Sequence, residues 1–234
     1  MTQPASTPPG DPIAYYFREA LLIGVGATRL YLIRHAQSLS NTGEAREWSD
    51  PPLTEVGRLQ AQRLADRLAR QGLDAILSSP SRRALETARF IADATGLPVE
   101  VEEDLREVVM GSPDNDPRQL QGEAAEALAR RLAREMRWDA FPGSEGSRAA
   151  RSRVRGIMDR IARRYEGRRV AVVTHFGFIQ TYLSIVLGVR RDFLFYTFNA
   201  SITSVRVKGR RRVIWRVNDI AHLEGLPPGF GGIS

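Results

Sequence analysis

The chain has no cysteine among its 234 residues. This absence excludes a disulfide framework, a thiolate nucleophile and any metal site built on cysteine ligands. Histidine is scarce as well, since only His35, His175 and His222 occur. They lie far apart in the sequence and show none of the ligand spacing of a local zinc motif. The sequence therefore gives no local sign of a metal site.

Long hydrophobic runs are also missing. No stretch approaches the roughly 20 apolar residues that a membrane-spanning helix needs. The nearest, residues 13–26, is interrupted by Arg18 and Glu19. Residues 1–12 are rich in proline, serine and threonine and lack the basic start and apolar stretch of a secretory signal. These features predict a cytoplasmic protein without a membrane partner.

Lysine is almost absent, because Lys208 is the only one among 34 basic residues in a chain of net charge +7. Arginine presents a planar fork that suits phosphate and carboxylate, so the excess charge is compatible with an anionic substrate or with nucleic acid. The arginines are scattered along predicted helices and are mixed with acidic residues. That pattern is typical of solvated helix faces, and we predict no nucleic-acid partner.

Each of three predicted strands is followed by an arginine or histidine that could take part in binding or catalysis. The apolar run 29–33 ends in Arg34 and His35, the strand at 74–77 is followed by Arg82 and Arg83, and the β-branched run 169–174 ends in His175. The carboxyl ends of parallel strands meet at one edge of an open sheet, where ligands bind. These groups are therefore expected to share one site.

The alternation of strands and helices predicts an α/β fold, a three-layer α/β/α sandwich with a mostly parallel sheet. An antiparallel edge is expected from a hairpin of strands 201–207 and 213–218. The other predicted elements are an edge strand at 99–101 and helices near 54–70, 81–96, 118–136, 147–165 and 178–187. We predict an N-terminal tail and short packing segment (1–28), one domain (29–224) with a cap insertion near 111–146, and a C-terminal tail (225–234).

Five blocks of the sequence resemble those of one family and occur in its order. They are 34–38 (RHAQS), 53–61 (LTEVGRLQA), 78–88 (SSPSRRALETA), 105–107 (LRE) and 173–177 (VTHFG). On these blocks the chain resembles the histidine phosphatase superfamily, also called phosphoglycerate-mutase-like. The resemblance covers about residues 29–218 and implies the same three-layer fold.

The resemblance also implies a role for each matching residue. His35 would be the nucleophile that forms a phosphohistidine, and Glu107 the general acid and later the base. His175, cationic when phosphate is bound, would act in catalysis and hold phosphate. The remaining expected residues are Arg34, Arg83 and Asn41 as phosphate ligands and Gln37, Ser38 and Phe176 as substrate contacts. By the register of the third block, Arg83 rather than Arg82 is the pocket arginine.

Because the protein would supply so much positive charge, the resemblance implies no metal and no cofactor. His222 is interpreted as a structural residue. Two residues stand where the family usually has glycine, namely Ala36 and Phe176, and the methyl group of Ala36 is expected to tighten the pocket. The segment 142–146 (PGSEG) matches the family's PGGES block only loosely.

The leading hypothesis is a metal-independent phosphatase that hydrolyses a small phosphomonoester. A phosphoglycerate mutase with the same residues is the closest alternative, but the segment after the acid block is short and poorly matched to mutases. A non-catalytic module that binds phosphate or nucleic acid is the third. The apolar stretch 13–25 is expected either to cover the sheet edge or to form a homodimer.

Overall fold

The computed structural model describes residues 11–24, 26–45, 49–112 and 114–226. The strands are β1 Thr28–Arg34, β2 Ala75–Ser78, β3 Val99–Val101, β4 Arg169–Thr174, β5 Ile202–Lys208 and β6 Arg211–Asp219. The α-helices are α1 Pro12–Ala20, α2 Leu39–Thr42, α3 Glu55–Ala69, α4 Arg82–Thr95, α5 Gly122–Glu135, α6 Gly146–Arg164 and α7 Phe176–Leu187. Short 3₁₀ turns lie at 103–105, 117–119, 138–140 and 221–223.

The six strands form one sheet in the order β3-β2-β4-β1-β5-β6. Strands β3, β2, β4 and β1 run parallel, whereas β5 and β6 are antiparallel and close one edge as a hairpin. The β-branched strand β4 lies between β2 and β1. This arrangement confirms the predicted α/β fold with a mostly parallel sheet and an antiparallel edge.

Alternate residues of the central strands face two separate cores. On β4, Val170 and Val172 pack in a cluster with α6 and α7, while Ala171 and Val173 pack in a second cluster with α3 and α4. The same alternation holds on β1, because side chains of a strand point to opposite faces in turn. Helices therefore cover both faces of the sheet, which gives three layers.

Two helices begin elsewhere than the sequence predicts. Helix α5 starts at Gly122 rather than near residue 118, because Pro117–Gln119 forms a 3₁₀ turn that the Asp116 side chain caps at the Arg118 amide. Helix α7 starts two residues early, at Phe176, because His175 itself is the N-cap residue. The imidazole is thereby placed at the junction between a strand and a helix.

The N-terminal segment contacts the domain mainly beyond the end of α1. Leu22 is 1% exposed, and its carbonyl accepts a hydrogen bond of 3.0 Å from Arg206. The apolar side chains of α1 stay open, since Ile13, Tyr16 and Phe17 are each more than 60% exposed. The helix therefore does not bury these side chains on the sheet edge, and the homodimer stays a prediction. Residues 1–10 and 227–234 of the predicted tails lie outside the described residues.

Among the described residues, no helix is both long and apolar enough to cross a bilayer.

Close packing fixes the position of α3 against the loop after β1. The Thr54 hydroxyl caps the helix by accepting a hydrogen bond from the Gly57 amide at 2.9 Å. A Cβ atom on Gly57 would lie 1.9 Å from the carbonyl oxygen of Gln37. Only glycine allows this approach, so Gly57 sets the path of the loop that follows His35.

We expect Gly57→Ala to destabilise the fold by roughly 1–3 kcal/mol, because the backbone must shift to relieve the overlap. The matched control is Gly156→Ala, since Gly156 is exposed on α6 and nothing lies within 4 Å of an added Cβ. This control should stabilise the protein by about 0.5–1 kcal/mol through helix propensity. Urea denaturation measures both effects, and equal shifts in the two variants would contradict the packing argument.

Candidate active site

Two imidazoles meet at the carboxyl ends of adjacent strands. His35 follows β1 and His175 follows β4, and the His35 amide donates to the Thr174 carbonyl at 2.9 Å. Their ring centroids are 5.2 Å apart and the ring planes are inclined by 61°. His35 is 4% exposed and His175 is fully buried. The parallel pairing of the two strands thus brings together residues 140 positions apart in the sequence.

The hydrogen-bond partners define the tautomer of each imidazole. His35 Nδ1 lies 2.8 Å from the Ala36 carbonyl oxygen, which can only accept, so Nδ1 carries the hydrogen. The other nitrogen, Nε2, accepts a hydrogen bond from Arg83 Nε at 3.2 Å. His35 therefore presents an unprotonated Nε2 with a lone pair towards Arg83, as a nitrogen nucleophile requires.

The opposite tautomer is required at His175. Its Nδ1 lies 3.2 Å from Arg83 Nη2, which can only donate, so this nitrogen is unprotonated. Its Nε2 then donates to the Ser79 hydroxyl at 2.8 Å. The Ser81 hydroxyl lies 3.4 Å from the same nitrogen. Sequence analysis did not single out Ser79 or Ser81, although both lie in the third block that carries the resemblance.

The guanidinium of Arg83 bridges both imidazoles and is 4% exposed. Arg82, by contrast, has a half-exposed side chain that pairs with Glu86 at 2.8 Å. Arg34 is 8% exposed, and its Nη1 donates to the Thr197 carbonyl at 2.6 Å. Two buried guanidinium groups therefore lie at the same end of the sheet as the two histidines.

Burial and the neighbouring guanidiniums keep both histidines neutral in this structure. Burial is the largest cause that lowers the pKa of His35 well below its usual value, and the charges of Arg83 and Arg34 lower it further. The pKa of His175 is lowered well below its usual value for the same first reason, followed by the charge of Arg83. His35 thus keeps its lone pair under conditions in which an exposed imidazole would be protonated.

Glu107 is held at the N-terminus of α7. Its Oε1 accepts from the amides of Val108 and Phe178 at 2.8 and 3.1 Å, and its Oε2 accepts from the Gly177 amide at 3.1 Å. Helix N-termini carry a partial positive charge that favours a carboxylate. A Cβ atom on Gly177 would lie 2.6 Å from Glu107 Oε1. Glycine at this position therefore lets the carboxylate approach the helix.

A partly buried ion pair supports the loop that carries Glu107. Arg153 Nη2 lies 2.6 Å from Glu145 Oε1, and both side chains are at most 14% exposed. Arg153 also donates to the carbonyls of Asp104, Arg106 and Glu107 at 2.9 to 3.3 Å. Sequence analysis missed this support. In the sequence, only Glu145 could have indicated this ion pair, because it lies in the loosely matching segment 142–146. No motif includes Arg153.

Three of the other predicted residues form hydrogen bonds in the loop that follows His35. Asn41 Oδ1 accepts from the Ser38 amide at 3.0 Å in a capping box of α2, and also from Asn199 Nδ2 at 3.1 Å. The Gln37 side chain is 5% exposed and accepts from the Thr54 hydroxyl at 2.7 Å. These contacts connect the loop after His35 to α3, and the predicted roles of Asn41, Gln37 and Ser38 in binding substrate stay predictions.

An aromatic group borders Arg34. Phe176 lies with its ring centroid 5.6 Å from the Arg34 guanidinium carbon and 5.9 Å from the ring of Tyr196. Tyr196 in turn lies 5.0 Å from Phe198. Phe176, where the family usually has glycine, therefore forms part of an apolar wall beside a buried cation.

The expectation that Ala36 narrows the pocket is wrong. Ala36 is fully buried and belongs to the core cluster of α3 and α4, which also contains Leu53 and Ala84. Because its Cβ packs into this core, the methyl group faces away from the imidazoles. The Nε2 atom of His222 lies 3.0 Å from the Ala200 carbonyl oxygen.

The donor set of the site suits an oxyanion. The buried guanidinium groups of Arg34 and Arg83 present N–H groups, which bind phosphate oxygens with charge-assisted hydrogen bonds. Among the described residues, no group of three or more histidine, aspartate and glutamate side chains is placed to hold a metal ion. The arrangement can thus bind a phosphoryl group beside two unprotonated imidazole nitrogens, His35 Nε2 and His175 Nδ1.

Comparison with known proteins relates this chain to enzymes that act on phosphate esters. The family model of the histidine phosphatase superfamily (branch 1) matches residues 30–220. Phosphoserine phosphatase 1 of Hydrogenobacter thermophilus is 34% identical over 202 residues, which are 83% of this chain and 94% of that protein. The probable phosphoglycerate mutase GpmB of Yersinia pestis is 31% identical over 162 residues, or 69% of this chain and 75% of that protein.

A solved structure supports the same relationship. A mycobacterial glucosyl-3-phosphoglycerate phosphatase in complex with VO3 superimposes with a TM-score of 0.68 at 29% identity. The match covers 81% of this chain and 98% of that one.

The lowered pKa of His35 makes stability depend on pH. An unfolded histidine binds a proton below its ordinary value of about 6.5, whereas the folded imidazole stays neutral, so folding loses free energy as the pH falls. Between pH 6 and 5 we expect the unfolding free energy of the wild type to fall about 1 kcal/mol per pH unit more steeply than that of His35→Gln. Urea denaturation at both pH values measures the unfolding free energies. Equal changes with pH in the wild type and in His35→Gln would contradict a neutral His35 in the folded protein.

Proposed function

The chain belongs to the histidine phosphatase superfamily, and from this premise we propose that it hydrolyses phosphomonoesters through a phosphohistidine on His35. Membership and similarity to named phosphatases support phosphomonoester hydrolysis. The observation that carries the mechanism is the pair of contacts to His35, with Nδ1 bonded to the Ala36 carbonyl and Nε2 facing Arg83 Nε. These contacts leave Nε2 as the nucleophilic atom.

In the first step, His35 Nε2 attacks phosphorus and the bond between phosphorus and the leaving oxygen breaks. Negative charge spreads over the three equatorial oxygens of the phosphoryl group. Arg34 and Arg83 keep their charge at any physiological pH and supply donors in fixed positions. His175 carries a proton while the dianionic phosphate is bound and adds one further donor. Burial strengthens these interactions, because the site excludes most water.

Glu107 is the proposed proton carrier. It gives a proton to the leaving oxygen in the first step and removes one from the attacking water in the second. In this structure the carboxyl group accepts three amide hydrogen bonds, which suits the ionised form. A phosphate dianion nearby opposes that charge and favours the protonated form. The proton on Glu107 is therefore coupled to occupation of the phosphate site.

Phosphoserine is one candidate substrate, since a relative at 34% identity carries the name phosphoserine phosphatase. Phosphoglycerate mutase activity is the alternative reaction, because a relative at 31% identity carries the name of a mutase. The two reactions share the phosphohistidine and differ in whether water or a sugar acid accepts the phosphoryl group. Assaying interconversion of the two monophosphoglycerates beside phosphate release separates them.

Several properties accompany the proposal as predictions of the sequence. They are independence of metals and other cofactors, a cytoplasmic location, lack of a nucleic-acid partner and a homodimer formed through the segment 13–25.

We expect His35→Ala to lose activity on an aryl phosphate by at least about a thousandfold, since no other residue is proposed as nucleophile. Excess chelator should leave the wild-type rate unchanged. Rapid quenching of the wild type with labelled substrate should trap a phosphoryl enzyme that is stable in alkali and lost in acid. The control is His222→Ala, which should keep its activity. Loss of activity with chelator would contradict the proposed roles.

The role of Glu107 is tested by varying the leaving group. Glu107→Gln should lower kcat/KM, which reports the first step alone, by roughly 10²–10⁴ for an alkyl phosphate, because an alkoxide leaves only with a proton. The loss should be much smaller for 4-nitrophenyl phosphate, whose phenolate leaves without one. Steady-state kinetics of both substrates give the two ratios. Equal losses would show that Glu107 does not act as the acid.

A further inference from the structure

An apolar cavity lies next to Glu107 and has a volume of about 180 Å³. We call it the Glu107 cavity. Apart from Glu107, its walls are formed mainly by Val108, Val109, Met110, Pro117 and Phe141. The cavity plays no part in the mechanism described so far.

The walls of the cavity are held in place by the rest of the domain. Met110 pairs with Ser144 in an antiparallel bridge, and the Val109 amide donates to Glu145 Oε1 at 3.0 Å. Val108 and Phe141 pack with Trp138, whose side chain is 1% exposed. Ligand sites are usually formed before the ligand binds. These contacts likewise hold the walls of the cavity in place without a ligand.

Two of the three charged groups of the cavity wall bind each other, and the third, Glu107, is protonated in the proposed first step. Arg118 binds Asp116 through two hydrogen bonds, Nε to Oδ1 at 2.9 Å and Nη2 to Oδ2 at 3.1 Å. The Asp116 side chain is 2% exposed. A ligand with an ammonium and a carboxylate group would have to break this pair to gain ionic partners here, and it would lose water from both charges. The wall therefore favours an uncharged group.

The position of the cavity relates it to one part of the substrate. This step rests on the proposed function, in which Glu107 gives its proton to the leaving oxygen. The group bonded to that oxygen then lies beside Glu107, and Glu107 also forms part of the cavity wall. The cavity lining thus contacts the alcohol part of the ester and not the phosphoryl group.

We propose that the substrate is the phosphate ester of an apolar alcohol, bearing a ring or branched alkyl group that fills the Glu107 cavity. An apolar cavity of about 150 Å³ binds benzene, so this one has room for a group of about six carbons. The proposed substrate differs from an amino-acid phosphate in its alcohol part, which is apolar.

Binding tests the cavity without turnover. Phosphonates that replace the ester oxygen by CH₂ cannot be hydrolysed, so 2-cyclohexylethylphosphonate and propylphosphonate report binding alone. We expect the Kd of the cyclohexyl compound to be at least about tenfold lower, as is typical for added apolar groups in a matching pocket. Titration calorimetry on the full chain measures both values. Equal Kd values would overturn the proposal.

Val109 provides the variant and Val101 its matched control. Val109 lines the cavity yet is 39% exposed, so Val109→Asp adds a charge there at little risk to folding. Val101 is 55% exposed on the edge strand β3. In Val109→Asp, the Kd of propylphosphonate should no longer exceed that of 2-cyclohexylethylphosphonate, so the tenfold ratio should fall to about one. Val101→Asp should keep the ratio, and equal ratios in the two variants would overturn the proposal.

Hydrolysis separates this proposal from the proposed function. Cyclohexylmethyl phosphate should have at least about tenfold higher kcat/KM than ethyl phosphate or L-phosphoserine. Hydrolysis without this preference, or with L-phosphoserine preferred, would overturn the apolar alcohol and leave the phosphatase mechanism standing. Preferred binding of the cyclohexyl phosphonate without hydrolysis of any ester would support the cavity and overturn the proposed function.

Discussion

The site depends on one buried cation that lies between two neutral imidazoles. Arg83 donates to the unprotonated nitrogen of His35 and of His175, and its own charge lowers the pKa of both. A buried guanidinium is costly without acceptors, and here the two imidazole lone pairs serve as acceptors, while Asp50 Oδ1 lies 4.0 Å from Nη1. When a phosphoryl group binds, its oxygens are stronger acceptors than the imidazoles. In the proposed mechanism, binding of the phosphate group therefore releases the lone pair of His35.

This arrangement needs three segments that are distant in the sequence. The parallel strands β1 and β4 set the separation of the two histidines, and helix α4 brings Arg83 between them. Helix α7 holds Glu107 at its first amides. The sheet thus fixes the position of His35, the proposed nucleophile, whereas a helix end fixes the carboxyl group of Glu107. Arg153 and Glu145 add support from α6 and its start, since they bind the loop on which Glu107 lies.

The loop that carries Glu107 also carries the residues proposed to determine which substrate binds. Residues that follow Glu107 form the apolar cavity, and the aromatic residues near Arg34 form another apolar surface at the site. Apolar walls exclude water, which strengthens the charge interactions on the phosphoryl group. They also provide the contacts that distinguish one alcohol from another. Charge is concentrated on the phosphoryl side of the site, and the proposed leaving-group side is largely apolar.

The sequence by itself determined the fold class and the residue types of the site. Strand and helix patterns depend on local periodicity, and His35, Arg83, Glu107 and His175 lie in short ordered blocks that can be read without coordinates. Only the tertiary structure decided which atoms meet. The tautomers depend on Ala36, Ser79 and Arg83 as partners, the methyl group of Ala36 faces the core, and Arg153 supports Glu107. Apart from the bond between His35 and Ala36, these contacts join residues far apart in the chain, and their geometry follows from packing, which leaves no periodic signal in the sequence.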